Sequence, residues 1–207
     1  MRLASNVHLA TCARRARMGS TGAFTPARLR GRDATLLPVA ALYHFSEDPT
    51  IRRFAPQVPR SSPSHPPAVW AVDAAHAPLY WFPRDCPRVS VWATTADQQE
   101  RLSDLFGTEA QRICAAEWRW FDQIRRTTLH RYTFDAAGFE PWADTEGEWV
   151  IDQVVTPLAV EPLDDLLALH LAAEVELRFT PRLGALTDRI LASDLPCSLV
   201  RLRNALV

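Results

Sequence analysis

The sequence contains no lysine and is poor in glycine and cysteine. Every strongly basic side chain is therefore an arginine, which keeps its charge and its planar set of donors in any environment. An anion site in this chain must accordingly be built from arginine. None of the 7 glycines falls in a GxxxxGK(S/T) or GxGxxG pattern. This absence argues against a P-loop and against a Rossmann phosphate-binding turn.

The cysteines are few and far apart. The chain has four, with no CxxC pair: Cys12, Cys86, Cys114 and Cys197. Such spacing argues against a disulfide framework and against a zinc ribbon. No apolar run approaches the roughly 18 residues that a membrane-spanning helix needs. We therefore expect a cytoplasmic protein with no membrane partner and no bound metal.

The remaining composition is that of a folded domain. Of the 207 residues, 47% are hydrophobic and 23% are charged, with a formal net charge of −1. One domain with a full core is expected at this length. The near-zero charge argues against a nucleic-acid binder that relies on a global basic field, although it leaves a local basic patch open.

The N-terminal segment differs from the rest of the chain. Residues 1–35 are rich in arginine and contain a single acidic residue, Asp33. We expect residues 1–35 to be a disordered or spurious extension, with an organelle transit peptide as the alternative. Residues 36–207 are predicted to form a single α+β domain.

Aromatic and apolar segments separated by turn residues predict the secondary structure of that domain. Three short strands matter for function and are predicted at 42–46, 68–72 and 147–150. The proline-rich residues 56–67 between the first two strands predict an extended surface loop. Thr108 and Gln111 form a capping-box pattern, which predicts a helix that carries Ile113 and Trp120 on its core face. Three or four helices are expected in all.

Each of the three strands carries a residue suited to a nucleotide. Alternation puts His44 and Ser46 on one strand face, where both can hydrogen bond to ribose hydroxyls. Trp70 can stack on a flat ring such as nicotinamide or a base. Glu148 can bind a 2′-hydroxyl or act in proton transfer. The structural alternatives are a core histidine, a core aromatic ring and a solvated acidic loop.

Residues 83–88 form a segment with two prolines and several charged residues, between the predicted strands at 68–72 and 147–150. Arg84 and Arg88 in this segment can grip a phosphate or a carboxylate. Cys86 lies between them and is more simply explained as a structural thiol than as a nucleophile, because no base is evident in the sequence.

Two further arginines lie at the end of the chain. Arg201 and Arg203 share one face of the predicted last strand. They either add to an anion site or pair with acids, and we expect pairing, for example with Asp164 and Asp165.

Four segments resemble an uncharacterised bacterial family that is known only as a domain of unknown function. They are LYHFSE (42–47), FPRDCPR (82–88), ELR (176–178) and SLVRLRNA (198–205). The resemblance covers about residue 40 to the end of the chain and implies no activity.

The order of the three strands more remotely resembles the His–Tyr–Glu type of the ADP-ribosyltransferase-like superfamily. That resemblance implies two small packed sheets with a nucleotide cleft, and cleavage of NAD at the nicotinamide–ribose bond. It makes His44 the ribose-contacting residue, Trp70 the nicotinamide-stacking residue and Glu148 the catalytic glutamate. Arg84 or Arg88 would neutralise the pyrophosphate. Two departures stand out: Trp70 replaces the usual tyrosine, and His-Phe-Ser replaces His-Gly-Thr.

Three functions follow as hypotheses. The first is an ADP-ribosyltransferase or NAD glycohydrolase, with His44 and Glu148 catalytic and NAD as the substrate. The second is an RNA 2′-phosphotransferase-like enzyme of the same fold, which would depend on arginine and histidine. The third is a non-catalytic nucleotide-binding or interaction module. The sequence identifies neither an acceptor nor an oligomeric state.

Overall fold

The computed structural model describes residues 9–11, 41–58, 65–143 and 145–206. Within them, the strands in chain order are β1 (Leu9–Thr11), β2 (Ala41–Ser46), β3 (Val69–Val72), β4 (Arg88–Trp92), β5 (Arg112–Glu117), β6 (Leu129–Asp135), β7 (Glu140–Pro141), β8 (Glu148–Ile151), β9 (Ala159–Leu163), β10 (Glu176–Thr180) and β11 (Cys197–Val200). The α-helices are α1 (Ala96–Phe106), α2 (Phe121–Arg126), α3 (Leu166–Ala172) and α4 (Gly184–Leu191). Short 3-10 helices span Ala77–Tyr80, Trp118–Trp120 and Leu202–Asn204.

The functional strands lie side by side in a six-stranded antiparallel sheet. Its order is β7-β8-β3-β2-β6-β9. The three predicted strands are β2, β3 and β8, so the histidine, tryptophan and glutamate strands are immediate neighbours. Connections of very different length separate them in the sequence, and the sheet brings them together.

The second sheet has five strands in the order β1-β11-β4-β5-β10. Its β5–β10 pair is parallel, and its other pairs are antiparallel. Every residue of β4 and β11 is buried. The buried polar residues of these strands include Arg88, Ser90 and Ser198.

The sheets pack face to face through a shared core. One cluster of buried residues joins Val72 and Leu129 of the six-stranded sheet to Trp92 and Cys114 of the five-stranded sheet. A second cluster packs α1 and α4 on the outer face of the five-stranded sheet. A third covers the outer face of the six-stranded sheet, where Phe54 packs on Leu42, Tyr132 and Phe134. The prediction of an α+β domain with two small packed sheets is confirmed.

The helix predicted from Thr108 is wrong over its first half. Residues 112–117 form the interior strand β5, and helical structure begins only at Trp118. Ile113 to Glu117 are buried on both strand faces, and such a run cannot be told from a buried helix by its period. The Thr108 hydroxyl instead accepts from the Ala110 N–H in a local turn.

Helix α1 was not predicted, although a capping signal precedes it. The Thr95 side chain accepts from the Gln98 N–H, and the Gln98 side chain accepts from the Thr94 N–H. This Thr-x-x-Gln pattern is as strong as the one at Thr108. The helix ends at Gly107, whose left-handed backbone (φ 62°) is favourable for glycine.

The sequence-based expectations for the cysteines and for the N-terminal segment are met only in part. Cys86 and Cys114 are buried free thiols, whereas Cys197 is disulfide-bonded, which the cysteine spacing did not indicate. Within 1–35, β1 pairs with β11. The rest of that segment lies outside the described residues, so its assignment stays a prediction. Nowhere in the described parts of the chain is a helix both long and apolar enough to cross a bilayer.

Candidate functional site

The candidate site is a small cavity at a point where two strands separate. Strands β2 and β3 pair at a single position, Tyr43 opposite Val72, whereas β2 pairs with β6 at six positions. Beyond Tyr43 the strands diverge and leave an opening of about 20 Å³. Its lining comprises Tyr43, His44, Phe45, Trp70, Ala71, Val72, Tyr80 and Glu148. The three strand residues singled out from the sequence therefore border one cavity.

Strand register determines which side of the sheet each residue faces. Tyr43, Val72 and Glu148 lie opposite one another across three strands. Directly paired residues of antiparallel strands share a face, so these three face the inter-sheet core. His44 alternates to the outer face, where its ring lies 4.9 Å from that of Phe54. His44 and Glu148 thus approach the same opening from opposite faces of the sheet.

Glu148 is a buried carboxyl held by hydrogen bonds. Its side chain accepts from the Tyr80 hydroxyl at 2.6 Å and is also hydrogen-bonded to the Thr145 side chain. Burial raises the pKa of Glu148 to about 7, because removal from water penalises the charged form more than the hydrogen bonds favour it. The carboxyl therefore changes charge near neutral pH. A group with this property in a pocket is suited to acid–base or electrostatic catalysis.

A histidine–aspartate pair supports the strand entrance beside Glu148. The His76 ring nitrogen Nδ1 lies 2.8 Å from the Asp73 carboxylate, and the Asp73 N–H donates to the Gly147 carbonyl at 3.0 Å. Gly147 has a left-handed backbone (φ 80°), and a Cβ there would overlap the His76 ring. Only glycine satisfies both constraints. The glycine directly before Glu148 was the sequence signal for this close approach.

His44 has a defined protonation state. Its Nδ1 lies 3.1 Å from the Trp70 backbone oxygen, which can only accept, so Nδ1 carries the proton. Burial lowers the pKa of His44 to about 4 and keeps the ring neutral. Nε2 is then left as an acceptor. The hydrogen bond from His44 Nδ1 to the Trp70 carbonyl crosses the opening between β2 and β3, where a hydrogen bond between the two backbones would otherwise lie. Ser46, on the same face, accepts from the Asp48 N–H and does not line the cavity.

Aromatic rings form most of the cavity wall. Phe45 and Tyr80 are nearly parallel, at 11° and a centroid distance of 6.5 Å. Trp70 packs edge-on against Trp142 at 5.0 Å. The Trp70 indole N–H is buried and has no hydrogen-bond partner among the described residues. The indole N–H groups of Trp81, Trp92 and Trp120 are in the same state.

The two arginines predicted to bind a cofactor lie outside the cavity lining. Arg88 is buried and donates to the carbonyl oxygens of Leu79 and Cys86, so its donors serve the loop. Arg84 is exposed, and its charge contributes to the lowered pKa of His44. Of the two, only Arg84 is therefore available beside the cavity.

Cys86 has the properties of a structural thiol. Burial raises its pKa to about 12, so the nucleophilic thiolate is not formed at neutral pH. The described residues also contain no group of three or more His, Cys, Asp or Glu side chains that could hold a metal ion.

Tyr80 and His76 are site residues that sequence reasoning missed. Both come from the segment after β3, which the proline at Pro78 turns into the 3-10 helix Ala77–Tyr80. Tyr80 reaches Glu148 across 68 positions in the chain. A short aromatic-rich helix between prolines gives no local indication of that partner.

A larger cavity lies elsewhere but has less suitable chemistry. It measures about 540 Å³ and is bordered by Glu109, Arg112 and Glu174 beside α1 and α3. It has no aromatic wall. We therefore place the candidate site at Glu148 despite the smaller volume there.

The comparisons with known proteins identify the family. The fold defines an α+β domain of two packed sheets with an acidic, aromatic-lined opening. The chain belongs to DUF6886, a family of unknown function, whose model matches residues 43–205. The resemblance to an uncharacterised family is thereby confirmed. No curated protein matches, and no solved structure matches.

Proposed function

We propose that this protein binds NAD or a related nucleotide and cleaves the nicotinamide–ribose bond, in the manner of ADP-ribosyltransferase-like enzymes. One observation carries the proposal: Glu148 is a buried carboxyl with a pKa of about 7, in an aromatic-lined opening that His44 and Trp70 also border. A carboxyl, a flat stacking surface and a hydrogen-bonding imidazole are the groups this reaction needs.

The chemistry assigns a role to each group. Trp70 and Phe45 supply aromatic faces for the nicotinamide ring. As the bond between ribose C1′ and the nicotinamide nitrogen breaks, its electron pair leaves with nicotinamide, and positive charge develops on the ribose. Ionised Glu148 stabilises that charge near the 2′-hydroxyl. The His44 Nε2 accepts a hydrogen bond from a ribose hydroxyl. Water or an acceptor then adds to C1′ and loses a proton.

The cavity must widen for this reaction. About 20 Å³ of space holds roughly one water molecule and no nucleotide. The Tyr80 hydroxyl also donates to one oxygen of the Glu148 carboxyl at 2.6 Å. We therefore expect ligand entry to displace Tyr80 from Glu148 and to shift the 3-10 helix Ala77–Tyr80 that carries it.

A non-catalytic binding module is the second candidate. The observation that favours it is the same Tyr80–Glu148 bond, which closes the site and holds the carboxyl away from a substrate. This alternative predicts nucleotide binding without release of nicotinamide.

The test is to incubate the protein with NAD and to quantify free nicotinamide by mass spectrometry. Glu148→Gln keeps the size of the side chain and removes its charge. We expect at least about a 100-fold loss of release in that variant. Glu140→Gln, an exposed glutamate on β7, is the matched control and should release nicotinamide like the wild type.

Calorimetry on the same samples separates the two candidates. Tight NAD binding without release would favour the binding module. Equal release by wild type and Glu148→Gln would contradict the enzymatic proposal.

A further inference from the structure

Two charged segments that are far apart in the sequence meet beside the cavity. The Arg201 Nε–H donates to the Arg84 carbonyl at 3.2 Å, and the Asn204 side-chain amide donates to the Asp85 carbonyl at 2.7 Å. These bonds join the 83–88 segment to the 3-10 helix Leu202–Asn204. The arginines of both segments are thereby held on one surface.

This surface concentrates positive charge. Arg201 is buried, and burial together with the charges of Arg203, Arg84 and Arg88 lowers its pKa to about 10. Of the carboxylates nearby, Asp85 opposes that shift. Glu47 is also close, because its side chain accepts from the Arg84 N–H at 2.8 Å. Arg119 reaches the same end of the chain by donating to the Asn204 carbonyl, and it is paired with the buried Glu117.

The sequence-based expectation that Arg201 and Arg203 pair with Asp164 and Asp165 is not met. Asp164 accepts from the Thr128 hydroxyl, and Asp165 caps α3 by accepting from the Ala168 N–H. Both acids are occupied elsewhere.

The two exposed arginines of the surface are available to a ligand. Neither Arg84 nor Arg203 forms an ion pair with any residue that the structure describes. Arg88 and Arg201 are buried. Fixed cations that repel one another are stabilised by a bound anion, and a guanidinium matches the oxygens of a phosphoryl group.

We propose that Arg84 and Arg203, supported by Arg201, form a binding site for the phosphoryl groups of a small nucleotide. We call this surface the arginine patch. It deepens the proposed function and rests on it, since it would receive the diphosphate of a nucleotide whose other end enters the Glu148 cavity. Arg84 links the two places, because its charge acts on His44 at the cavity.

The test uses inorganic pyrophosphate as the probe and calorimetry as the readout. Arg84→Gln and Arg203→Gln each remove one exposed guanidinium, and we expect each to weaken binding at least about tenfold. Arg101→Gln is the control. It removes an equivalent charge from α1, which follows the Trp92 end of β4, whereas the arginine patch lies at the Arg88 end, and it should bind like the wild type. Circular dichroism verifies that each variant is folded.

The proposal would be overturned if the wild type did not bind pyrophosphate, or if wild type, Arg84→Gln and Arg203→Gln bound it equally. Comparing ADP with adenosine then separates a nucleotide site from a site for free pyrophosphate. We expect ADP to bind and adenosine to bind far more weakly. ADP that binds no better than adenosine would also contradict the proposal.

Failure of the proposed reaction gives a different result. Glu148→Gln should bind pyrophosphate normally while it fails to release nicotinamide. If the wild type binds pyrophosphate at the arginine patch and leaves NAD intact, the patch stands and the cleavage proposal fails.

Discussion

The Glu148 cavity and the arginine patch are neighbours with opposite electrostatic designs. The cavity holds one carboxyl, buried among aromatic rings, whose charge changes near neutral pH. The patch holds several guanidinium groups that stay charged across the same range, two of them exposed. The cavity should therefore respond to pH, and the patch to salt. A nucleotide has an uncharged ribose and a permanently charged diphosphate, and these match the two regions respectively.

The largest effect is expected at Gly147, the glycine that lets the His76 ring lie against the strand entrance beside Glu148. Gly147→Ala combines a left-handed backbone with overlap against the His76 ring, so we expect it to lower the free energy of unfolding by about 3–4 kcal/mol. Urea denaturation measures this change. Gly107→Ala is the control, because its backbone is also left-handed while no atom lies near the added Cβ. It should cost about 1 kcal/mol. Equal losses in the two variants would show that the His76 contact is unimportant.

The next effect is a pH dependence of stability that belongs to Glu148. Its pKa is about 7 in the folded chain against 4.5 in the reference state, so between these values the folded chain holds a proton that the unfolded chain releases. The free energy of unfolding therefore falls as pH rises through this window, by about 3 kcal/mol in total.

Glu148→Gln has no such proton. Its stability relative to the wild type should rise by about 3 kcal/mol between about pH 4.5 and about pH 8, as measured by urea denaturation across that range. His44 and His170 titrate in both proteins, and their contributions cancel in the difference. A pH-independent difference would mean that Glu148 is ionised throughout.

A smaller effect is expected from Tyr80, whose hydroxyl bonds to Glu148. That bond favours the charged carboxyl, so Tyr80→Phe should raise the pKa of Glu148 above its wild-type value. The side-chain carbon resonance of Glu148 reports this by NMR. The loss of the bond should cost about 1.5 kcal/mol of stability. Tyr43→Phe is the control, since Tyr43 lines the cavity and does not bond to Glu148. An unchanged pKa in Tyr80→Phe would contradict the role given to this bond.

The smallest effect is predicted for the patch. Arg203→Gln removes a charge that repels Arg201, so the free energy of unfolding should rise at low salt, by no more than about 0.5 kcal/mol. The gain should disappear at high salt because exposed charges are screened. A denaturation series at two salt concentrations measures it. A loss of stability would show that Arg203 has a stabilising partner.

The sequence identified the strands of the site because their signals are local. Alternation around His44, the apolar run at Trp70 and the entrance at Glu148 each predict a strand without reference to the rest of the chain. Their adjacency in one sheet was not predicted and is shown by the strand pairing in the structure. The opening between β2 and β3 depends on where pairing stops, and no residue type encodes that.

The partners of the site residues were beyond sequence reasoning. Tyr80 meets Glu148 because the 3-10 helix Ala77–Tyr80 packs against the six-stranded sheet. Arg201 meets Arg84 because β11 pairs with β4 in the five-stranded sheet. Strand β5 shows the same limit within one element, since a run that is buried on both faces has no period to identify it. The sequence shows that position 148 carries a carboxyl group. Its raised pKa comes from burial, which the sequence does not show.

The most direct test of this account is an NMR titration of the Glu148 side chain, assigned by comparison with Glu148→Gln. The account predicts a midpoint near 7, which falls when a nucleotide with a free 2′-hydroxyl binds and favours the charged carboxyl. A midpoint near 4.5, unaffected by nucleotide, would mean that Glu148 is an ordinary solvated carboxylate and would contradict the central claim.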